Sequence, residues 1–376
     1  MNLLASETVR HPRLLSLDAF RGLTIGGMIL VNNPGNWAHV YPPLLHAEWH
    51  GWTPTDLIFP FFLFIVGVAM AFSFAGRLER GHSRKRLALH VTVRSAALFA
   101  LGMVLSGIPD YDFSHRLILD VLQRIGVVYL VSALIVLYAS HRLERWLAGI
   151  FLVVYWILMV VIPVPGYGRG ILAPEGNVWS YVDTILLQGW HSHAEGILSL
   201  IPSFSTVLLG HLTGEWLRSD KSDQEKVNLL FVLGNVALAG GLVLDVWFPI
   251  NKLLWSSSYV IFTAGFALNV LGVLYWIIEI RGYKRWSLPL VSLGMNAIAA
   301  FFLSSLVARL LGLLTIPTMA PDGTTVLVSL KGFLFQTLFA GWLSDASASL
   351  AYALSYTVLW MGVMWMFYKK KLFLKL

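Results

Sequence analysis

The chain reads as all-α: a polytopic membrane helix bundle of about ten transmembrane helices, with both termini in the cytoplasm. Three observations lead there. Of its 376 residues, 57% are hydrophobic and only 12% charged, where a soluble domain carries about 25% charged residues; the mean hydropathy is +0.71. Apolar stretches recur at the length a bilayer demands, about 20 residues at about 1.5 Å of rise each for a core about 30 Å thick. Lysine and arginine concentrate in every second connection between those stretches.

The first segment, 14–34, follows Arg10 and Arg13 but contains Asp18 and Arg21. No small-x-small cleavage site comes after it, so a retained helix is expected rather than a cleavable signal. The second, 56–76, runs straight out of the polar stretch that begins at His46. Segments 87–108, 117–140, 146–164, 197–217, 228–250, 257–280, 289–312 and 350–368 complete the ten. The apolar run 332–343 is too short to span and reads as a re-entrant or interfacial helix. Of 27 Lys and Arg, 19 fall in alternate short connections, four in the opposite set and four inside helices. This positive-inside bias puts both termini in the cytoplasm and accounts for the net charge of +7 without nucleic acid.

No repeat, linker or low-complexity tract divides the chain, so residues 1–376 are expected to form a single transmembrane domain. The longest polar stretches, 35–55, 165–196 and 313–331, all lie on the side away from the cytoplasm, and loops of this kind are where sites sit. The chain has no cysteine, which excludes disulfides, thiolate ligands and a Cys nucleophile.

His46 is the leading candidate for chemistry. Imidazole is the side chain whose unperturbed pKa lies nearest neutrality, so it can take and return a proton. Asp56, ten residues on, is a carboxylate able to fix its tautomer, as in a triad; the other reading is a solvated loop histidine. Inside the helices, Asp18 and Arg21 share a face, as do His211 and Glu215, while Asp120, Gln123 and Arg124 cluster in the fourth segment. Charge at mid-bilayer costs about 2.5–3.5 kcal/mol on insertion scales. Buried ion pairs would explain Arg21, Arg94, Arg124 and Arg309 one by one; together they suggest an anion lodged in the bundle, since Arg suits phosphate. His191-Ser192-His193 with Glu195 is too loose a spacing for a metal site, and no metal is expected. Gly166-Tyr167-Gly168-Arg169-Gly170 lacks the strand–helix context of a nucleotide fingerprint. Trp37, Trp49, Trp52, Trp179, Trp190 and Trp255 read as an interfacial belt, with Trp49 or Trp52, beside His46, open to stacking on a sugar.

An ordered set of short motifs then resembles one family. These are Leu17-Asp18-Ala19-Phe20-Arg21-Gly22, Val31-Asn32, His46-Ala47-Glu48-Trp49-His50-Gly51, Asp56-Leu57-Ile58-Phe59-Pro60-Phe61 and Val121-Leu122-Gln123-Arg124-Ile125-Gly126. They continue with Glu195-Gly196-Ile197-Leu198, Asn251-Lys252-Leu253-Leu254-Trp255-Ser256, Gly294-Met295-Asn296 and Lys369-Lys370-Lys371-Leu372-Phe373. In order and extent the chain resembles the heparan-α-glucosaminide N-acetyltransferases, multispanning membrane acyltransferases, in a bacterial form without the lumenal N-terminal domain. It departs from them at His193-Ala194, where the family often has Asp-Pro, and at His50, where the animal enzymes have Asn.

The resemblance implies transfer of an acetyl group from cytoplasmic acetyl-CoA to a glucosamine amine across a bacterial inner membrane. It makes His46 the essential histidine, acting as general base or as an acetyl relay, and Asn32 a second catalytic residue, with Asp56 orienting His46. Acetyl-CoA is then expected on Arg124 and Gln123, with Arg21 and Arg94 as further contacts. The acceptor is expected on Glu195 and Asn296, with Trp49 and His50 beside it. The partners are the bilayer, acetyl-CoA and an amino sugar; a homodimer is compatible with this reading. Two rivals stay open: an amino-sugar transporter, which intramembrane charges also suit, and an acyltransferase with another acyl donor.

Overall fold

The computed structural model describes residues 14–111, 119–187, 195–319 and 324–374. Thirteen helices make up most of them. They are α1 (Leu15–Asn32), α2 (Ile58–Leu78), α3 (Arg84–Gly107), α4 (Val121–Tyr138), α5 (His141–Val161), α6 (Val178–Leu187) and α7 (Leu200–Arg218). Then follow α8 (Asp223–Asp245), α9 (Ser257–Tyr275), α10 (Leu288–Met295), α11 (Ala297–Leu313), α12 (Leu330–Phe335) and α13 (Asp345–Lys369). Three of the basic connections end on a serine cap. The Ser83 hydroxyl accepts from the Arg86 N–H and that of Ser140 from Leu143. Ser222 and Glu225 form a reciprocal capping box.

Eight helices among the described residues are long and apolar enough to cross a membrane, and a bent pair makes a ninth. The first helix falls outside that set because Asp18, Arg21 and Asn32 dilute its apolar length, but it packs against α2, α9, α10, α11 and α13. The expected span 289–312 is broken. Helix α10 and the helix after it meet at Asn296 with a bend of 72°. The Asn296 amide nitrogen donates to the Leu372 carbonyl at 3.2 Å, and its oxygen accepts from the Leu374 N–H at 2.9 Å. The C-terminal tail thus satisfies the break, and a polar residue is what allows a bend within a span.

The stretch after α11 is an antiparallel hairpin, β1 (Thr315–Met319) with β2 (Thr325–Ser329), Thr315 opposite Ser329. Residues 332–343 contribute only α12 and a π-turn, Gln336–Ala340, so this run is no span. Lipid gives helices no hydrophobic drive to associate, and close backbone packing replaces it. At the α2–α7 contact a Cβ on Gly67 would run into the Val207 carbonyl and one on Gly210 into that of Phe64. A second apolar cluster, Tyr155, Met159, Val164, Val178, Phe248 and Leu254, lies beneath the loops and supports Trp49 and Trp179.

Candidate functional site

The loop between α1 and α2 carries the site's first half. Pro54–Leu57 forms a 3-10 turn capped by Thr53. Asp56, buried within it, binds its own loop: Oδ2 accepts from the Ala47 N–H (3.0 Å), the Thr53 N–H (2.9 Å) and the Thr53 hydroxyl (3.2 Å). The Tyr259 hydroxyl of α9 donates to the Asp56 carbonyl at 2.5 Å. That leaves Asp56 Oδ1 for His46 Nδ1, at 2.6 Å. The Asp56 side chain is 1% exposed and that of His46 49% exposed, so a rigid buried carboxylate holds an accessible imidazole.

The second half comes from the loop before α9. Lys252 Nζ lies 3.2 Å from His46 Nε2, 3.3 Å from Nδ1 and 3.5 Å from Glu195 Oε1. The Asp56 carboxylate, when ionised, only accepts, so a neutral ring carries its proton on Nδ1 and its lone pair on Nε2. That is the arrangement a general base needs, and Lys252 lies against the ring. Asn251 holds this loop by accepting from the Leu254 N–H at 2.8 Å, and its amide nitrogen lies 3.3 Å from His50 Nδ1. Partial burial pushes the His50 imidazole below its usual value, against the opposing pull of Asp245. His50 therefore serves as a neutral acceptor for Asn251.

Glu195 stands just before α7. Its carboxylate lies 3.9 Å from Arg124 NH1, while Arg124 NH1 donates to the Glu195 carbonyl at 2.5 Å and NH2 to the Ser199 carbonyl (3.1 Å) and the Ser203 hydroxyl (2.8 Å). The guanidinium also sits 4.6 Å over the Trp255 ring. Gly196 is required next, because a Cβ would strike the Asp183 carboxylate. Burial pushes the Glu195 carboxyl upward, but Lys252 and Arg124 outweigh it and hold the group below its ordinary 4.5.

The structure brings together His46, Asp56, Glu195 and Arg124 and adds Lys252, which the sequence marks only as a basic residue inside a motif. Arg124 turns NH1 and NH2 onto Glu195, Ser199 and Ser203, which clamps the start of α7, while its buried Nε has no hydrogen-bond partner among the described residues. The other expected contacts lie elsewhere. Arg21 pairs with Asp18 at 3.3 Å and reaches the Gly294 carbonyl at 3.4 Å; Arg94 lies 5.4 Å over the Tyr129 ring. Asn296 sits at the broken span on the C-terminal tail, away from the loop that holds Glu195. Trp49 donates to the Leu172 carbonyl at 2.8 Å and packs on Trp179 at 6.2 Å, so its ring is used in loop packing. Trp52 packs on Phe262 and Phe266. His191 and His193 lie outside the described residues.

Asn32 ends α1 and, with Asn33, Asp120, Gln123, Arg309 and Lys331, lines a cavity of about 410 Å³. Gln123 reaches it because Gly102 leaves room for its amide. Among the described residues its Oε1 is buried without a hydrogen-bond partner, while Nε2 donates to Ser106 at 3.1 Å. Burial pushes the Lys331 ammonium, which lies 5.8 Å over the Tyr352 ring, below its usual value.

Residues 13–248 match the family model for the heparan-α-glucosaminide N-acetyltransferase catalytic region. The chain belongs to this family. It is 31% identical over 351 residues to the human heparan-α-glucosaminide N-acetyltransferase and 29% identical over 350 residues to the mouse protein. Both alignments cover 77% of this chain and 52% and 53% of the respective relatives, so the chain spans about half the length of the curated relatives it matches. The family match takes in His46, Asp56, Arg124 and Glu195; Lys252 comes just after its end.

Proposed function

We propose that this chain is a transmembrane N-acetyltransferase that moves an acetyl group from acetyl-CoA to the amine of glucosamine or a glucosamine-containing saccharide. One observation carries the reading: buried Asp56 holds the accessible His46 ring by Nδ1 and leaves Nε2 free of it, with Lys252 against the ring and Glu195 beside Lys252. Family membership and the multi-pass bundle support it. The relatives' names support an amino-sugar acceptor, and the basic-residue bias supports a bacterial cytoplasmic membrane with the donor supplied from inside. One catalytic unit over residues 1–376 is part of the same proposal.

A sugar ammonium has no lone pair with which to attack. Glu195 pairs with it first and one proton leaves to solvent through the half-exposed His46; as the amine then attacks, His46 Nε2 takes the second proton, Asp56 stabilising the imidazolium. The amine nitrogen bonds to the acetyl carbonyl carbon, and the oxyanion that forms is met by the Lys252 ammonium. Collapse breaks the carbon–sulfur bond, and the imidazolium returns its proton to the departing thiolate. The products are the N-acetyl sugar and CoA. The donor arm is assigned to the cavity, with Asn32 and Gln123 as neutral partners and Arg309 and Lys331 as its cations. Arg124, Arg21 and Arg94 make their contacts elsewhere in the bundle and have no place in it.

Purified protein given labelled acetyl-CoA and glucosamine should yield labelled N-acetylglucosamine by mass spectrometry. Transport of glucosamine into vesicles without any labelled product would replace this reading with the transporter.

Glu195→Gln tests the acceptor contact. It should raise the acceptor KM or lower its kcat/KM, with the donor KM little changed. The same carboxylate gives a pH signature. Its folded value lies below its ordinary 4.5, so its stabilising contribution is whole above about that pH and is lost as pH falls through the depressed value. Melting temperatures measured downward from pH 6 should drop less steeply for Glu195→Gln than for the unaltered protein. Equal slopes and equal acceptor kinetics would remove Glu195 from the site.

A further inference from the structure

The starts of α5 and α7 face opposite ways, so the beginning of α5 meets the end of α7. This is the side that the basic residues mark as cytoplasmic. On α5, His141 and Glu144 are three residues apart; on α7, His211 and Glu215 are four apart, so each pair shares a helix face. The sequence gives no reason to join the two pairs, but the packing does. His141 Nδ1 lies 3.0 Å from Glu215 Oε1, and His211 Nδ1 lies 2.6 Å from Glu144 Oε1. The ligand atoms of His141, Glu144 and Glu215 all fall within 4.8 Å of one another.

We infer that His141, Glu144 and Glu215 form a binding site for a divalent transition cation of the zinc class at the cytoplasmic ends of α5 and α7. The inference does not depend on the acetyl-transfer reading. Zinc takes imidazole nitrogen and carboxylate oxygen at about 2.0–2.2 Å, usually four-coordinate; three protein ligands and one water fit this set. Ligand atoms around such an ion stand about 3.4 Å apart for tetrahedral angles at those lengths. The observed spacing is therefore reached by small rotations of His141, which is exposed, and Glu215, which is partly so. Glu144 is buried and Glu215 partly exposed, and a dication offsets their charge.

His211 is the positioning residue. Buried with Glu144, it holds one carboxylate oxygen and leaves the other to turn toward His141 and Glu215. Metal ligands commonly depend on outer hydrogen bonds of this kind. The neighbouring cations are otherwise engaged: Arg218 pairs with Glu79 at 3.0 Å, and Arg145 Nε donates to the His141 carbonyl at 3.2 Å. The ion's role is structural. His211 stands eight residues along α7 from Ser203, about 12 Å at helical rise, and Ser203 holds Arg124. A metal at the far end of α7 fixes the helix that presents Glu195.

The test uses purified, tag-free protein stripped with a chelator and titrated with zinc at neutral pH, with bound metal counted by mass spectrometry. One zinc per chain should bind and raise the melting temperature. The double variant His141→Ala/Glu215→Gln, altered where the side chains are most accessible, should lose both effects. His211→Gln should bind about 10–100-fold more weakly. Glu215→Gln alone keeps the test available if the double variant misfolds, and it should bind more weakly too. No zinc on the unaltered protein, or equal zinc on protein and variants, overturns the site.

Discussion

His46→Ala should lower acetyl turnover by about 10² or more, the contribution of a lost general base, while the protein stays folded and still binds acetyl-CoA. The asymmetry of the pair is the reason. Asp56 anchors the loop through Ala47 and Thr53 and through the Tyr259 hydroxyl, and none of those bonds needs the imidazole. His46 is half exposed, so its truncation leaves no large cavity. Turnover with labelled acetyl-CoA, acetyl-CoA binding and melting temperature together check it. Near-normal turnover in folded His46→Ala protein would end the assignment. A stable acetylated His46, trapped from acetyl-CoA without acceptor, would instead favour the relay over direct transfer.

The helical membrane architecture was legible because lipid imposes it: apolar segments of bilayer length have few physical solutions. The His46–Asp56 pair was legible for another reason. Ten residues separate the two, and a capped turn closes that distance. Lys252 was not legible, since its contact with His46 joins residues 206 apart and nothing in the Asn251–Ser256 motif says which way its side chain turns. Arg124 was flagged by its cost in a membrane, but the same cost is met by a ligand or by Glu195, and sequence does not choose between them. Asn296 was read from its motif as a sugar contact, yet a bent span and a returning tail needed its amide. Trp49 lies close to His46 in sequence, but the apolar cluster beneath the loops draws its ring down onto Trp179.

Arg124→Ala should destabilise the protein by about 3–5 kcal/mol, the range for removing one partner of a buried ionic group. The guanidinium has no exposed surface and serves the Glu195 and Ser199 carbonyls and the Ser203 hydroxyl at once. Its loss strands those acceptors in a site too enclosed for water to replace it easily, and it removes one of the two cations beside the Glu195 carboxylate. Arg124→Lys should recover only part of the loss, because a single ammonium cannot reproduce a planar fork across three acceptors and an aromatic face. A clamp and a donor contact then give different results. If Arg124 clamps α7, the melting temperature falls and acceptor kinetics worsen through a displaced Glu195, while acetyl-CoA binding by the remaining folded protein changes little. If the melting temperature holds and acetyl-CoA affinity alone collapses, Arg124 belongs to the donor site, and the cavity between α1, α4 and α11 loses its claim to the thioester arm.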